Sequence, residues 1–237
     1  MQTTLGTPTP SAIGFFLSIV ALTLPLFLNP VWVAFEQGRS QAGAWAGFTE
    51  PELRAATDSI LGDLVIGPPE FEVAIAGAPV LNERERGHMR DVRGVFIGFF
   101  AVTALLIAAA LAIHARRRRG AERAGSWGAV RTGSLALIAA LIGGGVLSVI
   151  AFDTVFEVFH RIFFAGGSYT FDPSTERLVQ LFPLAFWQET ALAVAAVCIV
   201  LAVLVAVVAN RRATATTMSP AGDGASPSSL PAAGPTR

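Results

Sequence analysis

The chain has 237 residues, 53% of them hydrophobic and only 14% charged, and its 17 basic residues balance 17 acidic ones. A mean hydropathy of +0.58 excludes an ordinary soluble domain and points to the membrane class. The single cysteine, Cys198, excludes an intrachain disulfide and any CxxC-type metal site.

Four apolar runs, about residues 11–35, 94–115, 132–151 and 186–209, are long enough to cross a bilayer. The third continues to about residue 157 once its polar-flecked end is included. Residues 1–10 carry no Lys or Arg, and the first run is too long for a signal peptide, so it reads as a retained helix. Pro25 and the Asn29-Pro30 pair predict a kink or an end near Asn29, because proline lacks a donor and disfavours helix just before it.

The segment after the first span has structure of its own. Thr49-Glu-Pro-Glu52 reads as a capping box, followed at helical spacing by Leu53, Ala56, Ile60 and Leu64. That amphipathic helix is expected either in the membrane interface or packed over the bundle. Gly67-Pro68-Pro69 breaks it, Glu70–Ala76 alternates like a short strand or extended loop, and Gly77-Ala-Pro79 reads as another break. From Asn82 a helix is predicted to run through His88 into the second span. Gly143-Gly144-Gly145 in the third span suggests close helix packing, and Cys198 in the fourth reads as a small buried hydrophobe.

Charge sets the expected orientation. Residues 116–131 hold six arginines against Glu122 alone, whereas residues 36–93 hold ten acids and six arginines. Arginine-rich short loops stay cytoplasmic. The expectation is therefore an all-α membrane protein with four transmembrane helices over residues 1–212 and both termini cytoplasmic. A structured extracytoplasmic loop spans residues 36–93, and a disordered cytoplasmic tail covers 213–237, rich in Ala, Ser, Thr, Pro and Gly.

Two histidines mirror each other about the arginine run. His88 lies 28 residues before Arg116 and His160 lies 29 after Arg131. At 1.5 Å per residue both rise by about 42–44 Å, which puts the two imidazoles at one height in the outer headgroup zone. Polar neighbours recur at helical offsets: Arg84, His88 and Asp91 on one side, Asp153, Glu157 and His160 on the other, with Glu85 one turn from His88. Glu189 falls in the same layer. Ionisable residues at such depths usually face a bundle interior or a watery cavity. A carboxylate on an imidazole would fix its tautomer for acid–base work. The competing reading is a set of interfacial ion pairs, such as Asp153 or Glu157 with Arg84 or Arg90. His114, beside the arginines, reads as solvated cytoplasmic interface.

Other chemistries fit less well. The histidines lie on different helices and no HExxH is present, so neither a metal nor any other cofactor is expected. No GxSxG or phosphate-binding loop occurs. A transporter using Asp153 and Glu157 would have them at the midplane rather than at an outer edge. A non-enzymatic lipid- or protein-binding membrane protein stays open, with Leu53, Ile60 or Leu64 as contact residues. Nucleic acid is not an expected partner.

The stretch Glu83-Arg-Glu-Arg-Gly-His-Met-Arg-Asp-Val92, followed by a span, resembles a family of small bacterial integral-membrane proteins that includes the lipoprotein intramolecular transacylase. Phe159-His160-Arg-Ile-Phe-Phe164, Tyr169-Thr-Phe-Asp-Pro173, Leu181-Phe-Pro183 and Phe186-Trp187 resemble the same family, so the likeness covers about residues 11–209. Tyr169 stands where members often have Trp, Leu184 where an acid is common, and Glu176 in place of an aspartate. The resemblance implies transfer of an acyl chain from the glycerol of an S-diacylglyceryl cysteine to that cysteine's own α-amine. The implied setting is the outer face of the bacterial cytoplasmic membrane. Its implied partners are diacylglyceryl-modified lipoproteins or membrane lipids. His88 and His160 would supply acid and base, supported by Glu85, Asp91, Asp153 and Glu157, with Arg90, Arg161 or Tyr169 facing the substrate or oxyanion.

Overall fold

The computed structural model describes residues 10–116, 120–164 and 167–218. Two layers follow from the sequence pattern: long apolar helices below, and a compact cap of short elements above. The first run becomes α1 (Pro10–Thr23), a 3-10 turn (Leu24–Leu26) and α2 (Pro30–Arg39). α1 with its turn and α2 meet at 75° rather than forming one rod. The cause is local. Asn29 is an extended N-cap whose Oδ1 accepts from the amides of Val31 (3.0 Å) and Trp32 (3.1 Å), and Pro30 sits at the first helical position, where its missing N–H costs nothing. The proline signal is thus confirmed, and residues 30–35 leave the axis of the expected 11–35 span.

The cap comprises α3 (Ala42–Ala46), α4 (Glu50–Val65), a hairpin of β1 (Ala74–Ile75) and β2 (Ala78–Pro79), and α7 (Arg177–Leu181). The Thr49 capping box is present, with Glu52 accepting from the Thr49 amide (2.9 Å) and hydroxyl (2.7 Å). Leu53, Ala56, Ile60 and Leu64 are buried against Phe71, Val73, Val80 and Leu181. α4 therefore packs over the bundle, and the residues that a non-enzymatic partner reading would use for contact lie in a core. The break expected at Gly77-Ala-Pro79 falls on Gly77 alone, in the turn, while Ala78 and Pro79 form the second hairpin strand. Ala76 (φ 50°) and Gly77 (φ 81°) both take positive φ, the requirement of a tight two-residue hairpin.

Three helices continue as spans: α5 (Glu83–Arg116), α6 (Gly120–Phe163) and α8 (Leu184–Met218). With the bent α1–α2 pair the chain has three to four candidate crossings. Their large side chains, such as Leu105, Ile150 and Leu204, point outward, as a lipid solvent allows. α6 packs against α8 and α1, and α1 also contacts α5. Ile19, Leu137, Cys198 and Ala202 form the buried knot of α1, α6 and α8, so Cys198 is the small core residue expected of it. The triple glycine is different. A Cβ on Gly143, Gly144 or Gly145 would meet nothing within 4 Å, so these residues face outward and seat no helix of this chain. α8 runs to Met218, past the expected helix end at residue 212. The tail from 219, Arg117–Arg119 and the His114 side chain lie outside the described residues.

Buried polar groups tie the layers together. Gln37, only 1% exposed, donates to Thr57 Oγ1 and the Leu181 carbonyl (both 3.0 Å), and Thr57 returns a bond to its Oε1 (3.1 Å). Glu85, equally buried, accepts from the amides of Asn82 (2.7 Å) and Leu178 (2.6 Å), while Asn82 Oδ1 accepts from the Glu85 amide (3.0 Å). One carboxylate thus caps α5 and holds α7 to it. Arg84 pairs with Glu176, which also accepts from the Asp172 amide (2.6 Å). The guanidinium beside it holds the Glu176 carboxyl below the usual carboxylate range.

Three outcomes follow. Ile60→Ala removes a fully buried side chain from the cap and should cost roughly 2–5 kcal/mol, read as a lowered midpoint for unfolding in detergent. Glu85→Ala leaves two buried amides without an acceptor, each costing about 1–3 kcal/mol, and should speed amide exchange in residues 177–182 before it does so in the spans. Glu176 contributes stability above the ordinary carboxylate pKa of about 4.3 and loses it as pH falls through its lower folded value. The melting temperature of the wild type should therefore fall relative to that of Glu176→Gln when both are titrated below about pH 4.

Candidate active site

His88 and His160 are brought to the site by different helices. The Asn82 and Glu85 cap starts α5 so that His88 lies in its second turn. α6 carries His160 beyond a break at Ala151 (φ −146°, ψ 50°), so its last twelve residues follow a new direction. The rings lie 5.8 Å apart between centroids, inclined by 26°. Both are buried, at 6% and 8% exposure. The equal heights expected from spacing become an actual pairing.

Aromatic rings form the walls. Phe156, one turn before His160, stacks on it at 4.1 Å, and Tyr169 lies on it at 5.1 Å. Phe164 touches both imidazoles, at 4.8 Å from His88 and 5.4 Å from His160. Phe171 closes the side of His88 at 5.4 Å. Such a setting excludes water and strengthens electrostatic effects on whatever reacts there.

The two imidazoles differ in their hydrogen bonds. His160 Nδ1 lies 2.7 Å from the Phe156 carbonyl oxygen. A carbonyl can only accept, so that nitrogen carries the hydrogen, and the neutral ring keeps its lone pair on Nε2. His88 Nδ1 is buried and has no partner among the described residues. An orphan of this kind is costly unless something else meets it.

Three of the four carboxylates expected to support the histidines, Glu85, Asp153 and Glu157, are placed otherwise. Glu85 spends both oxygens on backbone amides of α5 and α7. Asp153 and Glu157 are exposed while His160 is buried, and Glu157 pairs with Arg161. Asp91 is exposed and is no partner of His88 Nδ1, but its charge acts on the His88 ring. The reason is angular: Glu157 and Asp153 lie three and seven residues before His160 on a broad face, but the side of α6 against His160 carries Phe156, four residues before it. The ion pairs also differ from the alternative reading, since Arg84 meets Glu176, and Arg90 meets Glu83 at 2.8 Å. Glu189 bonds Arg39 at 2.5 Å. Among the described residues no three His, Cys, Asp or Glu side chains gather as a metal site would require.

The aromatic cage went unread in the sequence. Phe156 could have been found from its four-residue offset to His160, whereas Phe171 approaches His88 only through the tertiary fold. Tyr169 sits on His160, and Arg161, exposed and paired with Glu157, also hydrogen-bonds Tyr169.

The comparisons with known proteins agree on one family. The family model for the lipoprotein intramolecular transacylase Lit matches residues 11–187. A solved in meso structure of the membrane integral lipoprotein intramolecular transacylase Lit from Bacillus cereus has a TM-score of 0.69 at 18% identity, covering 89% of this chain and 95% of that one. Forms of the same protein with a histidine replaced by arginine or by alanine both give 0.65 at 18% identity over 89% of this chain, and 92% and 93% of theirs. At that identity the likeness is one of fold. No curated protein matches. With the family model extending over most of the sequence, the chain belongs to the lipoprotein intramolecular transacylase family and is a multi-pass membrane enzyme of the acyltransferase kind.

Proposed function

We propose that this protein moves an acyl chain within a diacylglyceryl-modified lipoprotein, from a glyceryl ester oxygen to the α-amine of the N-terminal cysteine. The observation that carries this reading is the buried pairing of His88 and His160 at 5.8 Å. The cysteine amine, with an ordinary pKa of about 7.7–8.0, must lose a proton before it attacks. His160 suits the base, because the Phe156 carbonyl holds its hydrogen on Nδ1 and leaves Nε2 free to accept. The amine nitrogen bonds the ester carbonyl carbon, the carbon–oxygen bond to glycerol breaks, and the glycerol oxygen takes a proton. The proton released by the attacking nitrogen is the one the glycerol oxygen needs, and His88, adjacent to His160, suits the group that hands it over. An ester becomes an amide with no change of redox state and no added reactant. Tyr169, whose ring lies on His160, suits the oxyanion donor among the expected residues.

Confinement supplies a large part of the rate. Amine and ester belong to one molecule, so a site that holds both gains the effective molarity of an intramolecular reaction. The aromatic cage adds exclusion of water, which would otherwise hydrolyse the ester. We place this site at the outer face of the bacterial cytoplasmic membrane, with four crossings and both ends of the chain cytoplasmic. The arginine asymmetry and the cap above α5 support that orientation.

In bacterial cells without another such enzyme, expression of the wild type should convert lipoproteins to the N-acyl, monoacylglyceryl form, read by mass spectrometry of their N-terminal peptides. His88→Ala and His160→Ala should each lower conversion by roughly 10²-fold or more at unchanged membrane abundance. Full conversion by either variant would overturn the assignment.

A further inference from the structure

Beside the histidine cage lies an open cleft of about 530 Å³ whose role the acyl-transfer chemistry alone does not specify. Its size falls in the range of small-molecule sites, about 300–1,000 Å³. One wall is α5, with Arg90 and Asp91 at the outer end and Gly94 and Val95 one turn deeper. The other wall is Phe163, Phe164 and Ser168, after the histidine turn of α6. The lining is therefore polar above and apolar below, the order in which a glycerolipid presents itself.

Three observations indicate that the cleft accepts something. Gly94 lines the cleft, and a Cβ there would meet nothing within 4 Å, so a side chain at this position would enter unfilled space. α5 and α6 touch only briefly, so the seam between them opens toward lipid. Ser168 Oγ is buried and has no hydrogen-bond partner among the described residues. A buried hydroxyl left unpaired is unfavourable, and an ester or glycerol oxygen would relieve it. Phe164 lines the cleft and also touches both imidazoles, so a group resting on its ring is one ring away from either.

We propose that this cleft seats the glyceryl ester and an acyl chain of the lipid substrate, with Ser168 positioning the ester end and Gly94 setting the room for the chain. The assignment rests on the acyl-transfer reading for the identity of the lipid, but not for the site's existence. Gly94 acts by having no side chain. Leucine there would fill the chain's path, and long chains would suffer more than short ones. Ser168 is a positioning residue, since its hydroxyl orients the ester and exchanges no proton in the reaction.

The test uses the full-length protein in phosphatidylcholine nanodiscs and a synthetic diacylglyceryl lipopeptide with a photoreactive group in one acyl chain. Labelling of Gly94, Val95 or Phe163 is expected, suppressed by excess unlabelled lipopeptide but not by added phosphatidylcholine. Gly94→Leu should lower protected labelling and transfer roughly 10-fold or more for a palmitoyl chain, with a smaller loss for a butanoyl chain. Ser168→Ala should lower transfer roughly 2- to 10-fold. Should Gly94→Leu fail to fold, Gly94→Ala and Ser168→Ala carry the test. Transfer with labelling elsewhere, equal competition by phosphatidylcholine, or wild-type labelling in all folded variants would overturn the site. Protected labelling without transfer would keep the site and overturn the transacylase reading.

Discussion

The site depends on one buried carboxylate, Glu85, which accepts backbone amides from the start of α5 and the start of α7. At 1% exposure it has little water to fall back on, so both bonds must form for the cap to close. Closing them sets where α5 begins, and hence where His88 points. It also fixes α7, which anchors the preceding stretch carrying Tyr169 and Phe171. A carboxylate one turn from a histidine invites a role in tuning the imidazole. Here it acts on the backbone, and the histidine is positioned as a consequence.

The same economy governs the rest of the cap. Gln37, Arg93 and Arg177 each bond backbone carbonyls of another element, Arg93 reaching Gly67 (2.5 Å) and Arg177 reaching Ala46 (2.5 Å). Between spans, where lipid removes any hydrophobic drive for helices to associate, packing relies on small contacts such as Ile19, Cys198 and Ala202. The cap, by contrast, has a core like that of a soluble domain. Precision at the histidine pair therefore comes from the cap, while the spans leave a seam between α5 and α6.

Legibility in the sequence followed the range of the interaction. The break at Asn29-Pro30, the Thr49 cap and the buried face of α4 involve residues a few positions apart, and each was readable from local sequence. The hairpin at Ala74–Pro79 was half readable: the alternation was visible, but Ala76 at positive φ gives no composition signal. The carboxylates misled, because Asp153 and Glu157 satisfy helical spacing with His160 yet fall on its exposed flank. Which flank of α6 is buried depends on where the neighbouring helices lie, and the break at Ala151 has no proline to announce it.

By itself the sequence determined the membrane class, the apolar runs, the helix caps and the equal heights of the two histidines. Each of these rests on local spacing or on the length of a helix against a bilayer. Only the tertiary structure decided that the rings meet, which side chains enclose them, and that Glu85 serves the backbone. Those outcomes depend on the 75° bend after α1, the break in α6 and the docking of α7, contacts between residues far apart in the chain. Height along one helix is a one-dimensional quantity that counting supplies. Approach between two helices also requires their rotations and tilts, and packing alone sets those.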